Sequence, residues 1–112
     1  MEGLEEKLGY KFKNIDLLKN ALTHSSYANE VRGGFSSNER LEFLGDSVLS
    51  IIVSDYIYRH FRSLPEGELT KLRASLVCEK SLCTFSRELE LGKYLMLGKG
   101  EDKGGGRERD SI

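Results

Sequence analysis

Three carboxylates recur at helical spacing near the middle of the chain. Glu39, Glu42 and Asp46 are separated by three and then four residues, so in an α-helix they fall within about 60° of one another on one face. Carboxylates placed this closely repel one another, but oxygen ligands on one face suit Mg²⁺, which keeps water or phosphate in its other positions. The residues alone leave a second interpretation open, because an acidic stripe is also typical of the solvent-facing side of an amphipathic helix.

Two neighbours of these carboxylates are unusual for a surface helix. Gly45 lies inside the predicted helix, where glycine costs up to about 1 kcal/mol relative to alanine, so it indicates close approach by a packed helix or by a partner. Phe43 lies near the carboxylate side, away from the main apolar arc. It is interpreted either as an aromatic plug for a partner subunit or as a side chain covered by a neighbouring loop.

The apolar residues recur every three or four positions, which predicts an all-α chain. We expect a short opening helix, a second helix capped by Asn14, and a long helix that is capped by Asn38 and ends near His60 or Phe61. The face of the long helix opposite the carboxylates is predicted to form the core side; its apolar residues are Leu41, Leu44, Val48, Ile51 and Ile52.

The remaining segments are predicted from glycine, proline and charge. Residues 29–37 are expected to form a loop, and Pro65 is expected to open a helix that continues to Leu76. A further helix over 80–91 should end at Gly92. The segments Gly98-Lys99-Gly100 and Gly104-Gly105-Gly106 are expected to bracket a mobile loop, and residues 107–112 to begin one more helix.

Length and composition limit the class of protein. One hundred and twelve residues, 38% hydrophobic and 31% charged, indicate one folded domain. A net charge of −1 argues against a generic basic nucleic-acid coat but permits a nucleic-acid enzyme with metal-binding carboxylates. No apolar run reaches the roughly 18 residues of a membrane helix, and no signal peptide opens the chain, so a cytoplasmic protein without membrane contact is expected. Cys78 and Cys83 are expected to be small buried residues.

Several segments of the sequence resemble those of a known protein family. Residues 38–49, NERLEFLGDSVL, resemble the signature motif of the ribonuclease III family, and residues 4–10, 21–27, 65–77 and 91–107 resemble its other segments in the same order. The likeness covers nearly the whole chain and is strongest to the catalytic domain of the dimeric bacterial enzyme. It implies the all-α ribonuclease III endonuclease-domain fold over residues 1–112.

The resemblance also implies an activity and a set of residue roles. The family cleaves double-stranded RNA with Mg²⁺, for which Mn²⁺ is the alternative, leaving 5′-phosphate and 3′-hydroxyl ends during RNA processing, including that of ribosomal RNA. Glu42 and Asp46 would be catalytic metal ligands, and Glu39 and Glu66 further carboxylates of the cleft. Phe43 would enter a socket on the other subunit of a homodimer. No small-molecule cofactor is implied.

The chain departs from the family pattern at its end. The family takes a second acidic pair from a later helix, and this chain stops at Ile112 with the preceding run present; Asp110 comes before the expected position and does not fill it. We therefore expect a truncated catalytic domain: a helical bundle that lacks its last helices and has no double-stranded-RNA-binding domain. Its metal binding should be weak, its activity impaired or absent, and its apolar helix face exposed or differently partnered.

Two other classes of function remain as alternatives to the nuclease. The first is a non-catalytic RNA-binding or assembly module with the same fold, which the missing second acidic motif favours. The second is a generic helical interaction domain with a solvated acidic face, which the extent of the resemblance disfavours. Metal-dependent stabilisation would discriminate against this last class.

Overall fold

The computed structural model describes residues 1–31 and 36–112, and within them it is helical. The described residues form no named strand, in agreement with the all-α prediction, and none of their helices is long and apolar enough to cross a membrane. Part of the loop predicted over 29–37 lies outside the described residues. The helices are α1 (Glu2–Leu8), α2 (Ile15–Ala21), α3 (Ser25–Glu30), α4 (Glu39–His60), α5 (Glu66–Leu76), α6 (Glu79–Leu89) and α7 (Lys99–Lys103), with 3₁₀ turns at Leu91–Tyr94 and Gly106–Glu108.

A small core joins the first two helices. Leu4 of α1 meets Leu18 of α2 and Leu22, which directly follows α2. All three are buried, and Phe12 and Tyr94 pack around them. Burial of such side chains is the main favourable contribution to folding. Asn14 caps α2 as predicted, because its side-chain oxygen accepts from the amide of Asp16 at 3.1 Å.

Residues 22–24 join three distant parts of the chain, and we call this the Thr23 junction. Thr23 is 1% exposed and pairs in parallel with Met96. The Met96 amide donates to the carbonyl of Leu22 at 2.9 Å, and the His24 amide donates to the carbonyl of Met96 at 3.0 Å. The carbonyl of Thr23 accepts from the Asn38 amide at 2.9 Å. The junction therefore fixes the start of α4 against the segment around Met96.

The long helix α4 is present as predicted, but its core face is not. Ile57, at 3% exposed, is its one residue recorded as buried among the described residues. Leu44, Val48, Ile51 and Ile52 are exposed, so the prediction that they form the core is wrong for these residues. The physical reason is that α5 contacts α4 while the main buried cluster lies on α1 and α2. The alternative expectation, that this face is exposed, is confirmed.

Three predicted chain features after residue 80 are also wrong. Helix α6 ends at Leu89, and the left-handed residue at its end is Glu90, with φ 53°, instead of Gly92. Gly92 is required for a different reason, since a Cβ there would lie 2.7 Å from the carbonyl oxygen of Arg107. The predicted mobile loop contains α7, and residues 107–112 continue only a short 3₁₀ turn.

The two cysteines differ in exposure. Cys83 is buried as predicted, whereas Cys78 is exposed at the N-terminus of α6. The prediction that both are buried is therefore wrong for Cys78, which occupies the N-cap position of α6.

Glu90 provides a test of how α1 is attached to α6. Its carboxylate pairs with Lys7 at 2.7 Å and Lys93 at 3.2 Å, and these two lysines hold the pKa of Glu90 below its ordinary value. A lowered carboxyl pKa contributes stability above the unfolded-state pKa, and this stability is lost as the pH falls through the folded-state pKa. We expect Glu90→Gln to lower the thermal midpoint at neutral pH.

The difference between Glu90→Gln and the parent should shrink as the pH falls below the ordinary glutamate pKa of about 4.3. Thermal unfolding followed by circular dichroism measures it. An equal difference at neutral and acidic pH would contradict the assignment to ion pairing.

Candidate metal centre

A cleft of about 940 Å³ lies between the first half of α4, helix α6 and the C-terminal segment 107–112. Glu42 and Asp46 line the α4 wall, and Ser111 and Ile112 line the wall formed by the end of the chain. Glu42 and Asp46 are both exposed, so a hydrated cation in the cleft could contact them without dehydration of a buried site. The structure thus brings two of the predicted site carboxylates to one cavity.

The other two predicted carboxylates lie elsewhere. Glu39 is exposed one turn earlier on α4 and does not line this cleft. Glu66, at the start of α5, lines a separate pocket of about 450 Å³ between α4 and α5. Within the described ranges, no three histidine, cysteine, aspartate or glutamate side chains are close enough to hold a metal ion together.

The start of α4 is positioned by Asn38, though not in the predicted manner. Asn38 occupies the N-cap position, but its side chain makes no capping bond and donates instead to the carbonyl of Ala21 at 2.9 Å. Its own carbonyl accepts from the Glu42 amide at 2.8 Å, and Ser37 Oγ accepts from the Glu39 amide at 3.4 Å. The predicted N-cap position of Asn38 is confirmed, but its side chain bridges α2 and α4 instead of capping the helix.

The opposite wall is held by Arg107, which the sequence reasoning did not single out. Its guanidinium donates to the carbonyls of Gly92 at 2.8 Å and Leu95 at 2.6 Å, and it pairs with Asp102 at 2.9 Å. The absence of a side chain at Gly92 is the sequence feature that permits this approach. Three partners around one guanidinium fix the segment that leads to the cleft.

Asp110 is already engaged at the end of this segment. It forms an ion pair with Arg87, and its backbone carbonyl accepts a weak bond from Cys83 Sγ at 3.1 Å. Burial, together with the negative charge of Asp110, raises the pKa of the Cys83 thiol, so the thiol stays neutral at neutral pH. The Asp110 carboxylate is therefore already paired with Arg87 in this structure.

Phe43 and Gly45 lie in open space. Phe43 is 81% exposed, so the interpretation that a loop covers it is wrong. A Cβ at Gly45 would meet nothing within 4 Å, so Gly45 is not explained by helix packing within the described residues. Approach by a partner stays a prediction for this part of α4.

The donor set of the cleft fits a hydrated Mg²⁺. Glu42 and Asp46 are four residues apart on one helix, and among the described residues neither takes part in a recorded ion pair. Mg²⁺ commonly binds one or two carboxylates and retains several waters. Two carboxylates facing an open cleft meet this requirement. Binding should be weak, since the described residues form no group of three histidine, cysteine, aspartate or glutamate side chains that could hold the ion.

The anchoring role of Arg107 is testable by substitution. We expect Arg107→Ala to lower the free energy of unfolding by about 2 kcal/mol, because a charged donor is removed from two partly buried carbonyls. Urea denaturation measures the change, with Lys103→Ala, at an exposed position of α7, as the control. Equal stability of the two variants would contradict the anchoring role.

The sequence of this chain is similar to proteins of one known family. Residues 14–112 match the Ribonuclease-III-like family. The chain is 61% identical over 110 residues to the Ribonuclease 3 of Oceanobacillus iheyensis, covering 97% of this chain and 48% of that protein. It is 52% identical to the Ribonuclease 3 of Listeria monocytogenes, covering 99% of this chain and 49% of that protein. The chain therefore spans about half the length of these curated relatives.

Solved structures agree with this match. The chain superposes with a TM-score of 0.89 and 44% identity on the nuclease domain of ribonuclease III from Campylobacter jejuni, a structure described for flexibility in a region involved in dimer formation. The match covers 98% of this chain and 73% of that one. A second structure of that nuclease domain gives a TM-score of 0.88 at 43% identity, covering 99% of this chain and 72% of the other. On the sequence match and the shared fold, the chain belongs to the Ribonuclease-III-like family.

Proposed function

We propose that the protein to which these residues belong is an endoribonuclease that cleaves double-stranded RNA with the help of Mg²⁺. The observation that carries the proposal is the placement of Glu42 and Asp46 on one wall of an open cleft, in a chain of the ribonuclease III family. Residues 1–112 would form part of the catalytic domain. The reaction would be hydrolysis in cytoplasmic RNA processing, including that of ribosomal RNA, leaving 5′-phosphate and 3′-hydroxyl ends.

In this proposal Glu42 and Asp46 hold the metal, and Mn²⁺ could replace Mg²⁺ at the same oxygens. A divalent ion supplies Lewis-acid stabilisation of the charge that develops on a phosphodiester under attack by water. The protein's contribution is to fix both carboxylates through α4 and the Thr23 junction. Hydrolysis requires no organic cofactor. Duplex RNA would be recognised mainly by its shape, phosphates and 2′-hydroxyls.

Glu39 and Glu66 have supporting roles in this proposal. Glu39 is one turn before Glu42 on α4 and would add negative charge near the metal. Glu66 lies in the pocket between α4 and α5, so it would reach the cleft carboxylates only from another copy of the chain. This separation connects the proposed reaction to the proposed dimer.

Cleavage can be tested in a chimera that joins residues 1–112 to the remaining half of the Oceanobacillus iheyensis Ribonuclease 3. We expect this chimera to cut a labelled RNA duplex when Mg²⁺ is present. Asp46→Asn or Glu42→Gln should reduce the rate on the order of a hundredfold, because each removes a charged ligand. The 112-residue chain alone should be inactive or much slower.

Glu88→Gln is the matched control, since Glu88 is an exposed carboxylate on α6 outside the cleft. Its rate should equal that of the unmodified chimera. Undiminished cleavage by Asp46→Asn would contradict the proposed metal centre. A chimera that binds duplex RNA without cutting it would favour the non-catalytic RNA-binding alternative.

We also propose a homodimer in which Phe43 enters the partner's pocket between α4 and α5. Phe43 is 81% exposed, and the neighbouring Gly45 leaves space for a second surface. The pocket, of about 450 Å³, has apolar walls from Ile51, Ile57 and Leu69 and also contains Glu66. Since Phe43 is adjacent to Glu42, its insertion would bring one chain's acidic face towards the partner's Glu66.

The dimer is tested by removing the aromatic ring. We expect Phe43→Ala to weaken self-association at least about tenfold, because a central buried aromatic residue commonly contributes more than 1 kcal/mol to an interface. Tyr58→Ala, which alters the rim of the pocket, should act in the same direction. Sedimentation equilibrium measures both, with Leu17→Ala, an exposed apolar residue of α2, as the control. An unchanged dimer in Phe43→Ala would contradict this packing.

A further inference from the structure

The short helix α3 presents two acceptors to the backbone of a distant segment. Ser26 Oγ accepts from the Gly98 amide at 2.9 Å, and Glu30 Oε2 accepts from the Lys99 amide at 2.6 Å. Ser26 and Glu30 are one helical turn apart, so together they bind the consecutive amides of Gly98 and Lys99. We call these four residues the α3 clamp. The resemblance assigned no role to either side chain.

The clamp is built with little free space. Gly98 is buried, and a Cβ on it would lie 2.7 Å from both the Ser26 carbonyl oxygen and Glu30 Oε2. His24 Nδ1 accepts from the Ser26 amide at 3.1 Å, so this nitrogen carries no proton when it does so. The Ser26 hydroxyl, 2.8 Å away, can then donate to His24 Nδ1 while its oxygen accepts from Gly98. The hydroxyl is therefore oriented from both sides.

The α3 clamp holds the start of α7, the helix that precedes segment 107–112 on the wall of the cleft opposite Glu42 and Asp46. Gly98 is the N-cap residue of α7. Helix α7 carries Glu101 and Asp102, which pair with Arg109 and Arg107 respectively. These arginines belong to the segment whose end lines the cleft opposite Glu42 and Asp46. A continuous set of hydrogen bonds and ion pairs thus runs from α3 to the cleft.

We infer that Ser26 and Glu30 are positioning residues of the metal cleft, holding the start of α7 so that segment 107–112 faces Glu42 and Asp46. This inference rests on the proposed function. Glu30 is suited to the role because a bond between a carboxylate and a backbone amide is stronger than one between neutral groups. Ser26 contributes orientation, because its hydroxyl is held by His24 Nδ1 while it accepts from the Gly98 amide.

The test uses the 112-residue chain, with amide exchange and Mn²⁺ broadening followed by NMR. We expect Glu30→Ala to speed exchange about tenfold, the equivalent of one lost hydrogen bond, at Lys99 and also at Glu108 and Arg109. Mn²⁺ broadening of the Glu42 and Asp46 signals should require several-fold more metal. Glu30→Gln keeps a side-chain oxygen that can accept from the Lys99 amide, so its exchange rates and its Mn²⁺ requirement should stay close to those of the unmodified chain. Asn29→Ala, at an exposed position of the same helix, should change neither.

Faster exchange confined to Lys99, with Glu108 and Arg109 unchanged, would overturn the inference, because the contact would then be local. If Glu30→Ala unfolds the chain, Ser26→Ala is the second variant, since it removes only the neutral hydrogen bonds of the hydroxyl with the Gly98 amide and His24 Nδ1. It is expected to show the same pattern at Gly98, Glu108 and Arg109. Failure of Ser26→Ala to do so would also overturn the inference. Absence of Mn²⁺ broadening in the unmodified chain would instead contradict the proposed metal centre. The exchange rates at Glu108 and Arg109 would still test the positioning role of Ser26 and Glu30.

Discussion

The Thr23 junction is the constraint on which the candidate site depends. Thr23 is almost completely buried, and its carbonyl accepts the Asn38 amide that begins α4. The residues on either side of it, Leu22 and His24, exchange backbone bonds with Met96. Peptide groups buried without partners cost free energy, so these pairings are difficult to rearrange. They hold the acidic start of α4 and the segment before α7 in one fixed relation.

The two walls of the cleft differ in electrostatic character. On the α4 wall, Glu42 and Asp46 lack a recorded cationic neighbour among the described residues, and their mutual repulsion is an unfavourable contribution to stability. On the opposite wall, Arg87 and Arg107 are each committed to an acidic partner. Glu42 and Asp46 therefore face a wall whose arginines, Arg87 and Arg107, already have acidic partners. Such an arrangement favours a bound cation at the carboxylates.

The sequence predicted the local features well. The spacing of Glu42 and Asp46, the extent of α4 and the cap of α2 by Asn14 all depend on residues within a turn or two of one another. The role of a glycine was more difficult to predict, because glycine occurs both at left-handed helix ends and where another segment approaches the backbone closely. Gly92 was assigned to a helix end, whereas it makes room for Arg107, and the left-handed position fell to Glu90.

The contacts that assemble the cleft are non-local, and this explains why the sequence did not reveal them. Thr23 pairs with Met96, and Glu30 with the Lys99 amide, across about 70 residues. Neither pair has a periodic pattern, and α7 is too short and polar to show one. The separation of Glu66 from Glu42 and Asp46 is also a tertiary property. The family resemblance implied that all of them line one cleft.

The proposed reaction depends on the proposed binding of a divalent metal ion by Glu42 and Asp46 in the cleft. The most direct measurement is an anomalous difference map, recorded at the manganese absorption edge from crystals grown with MnCl₂. The account predicts a peak beside the Glu42 and Asp46 carboxylates, facing segment 107–112, and no such peak in Asp46→Asn crystals. Ordered carboxylates without a peak, or a peak that persists in Asp46→Asn, would contradict it.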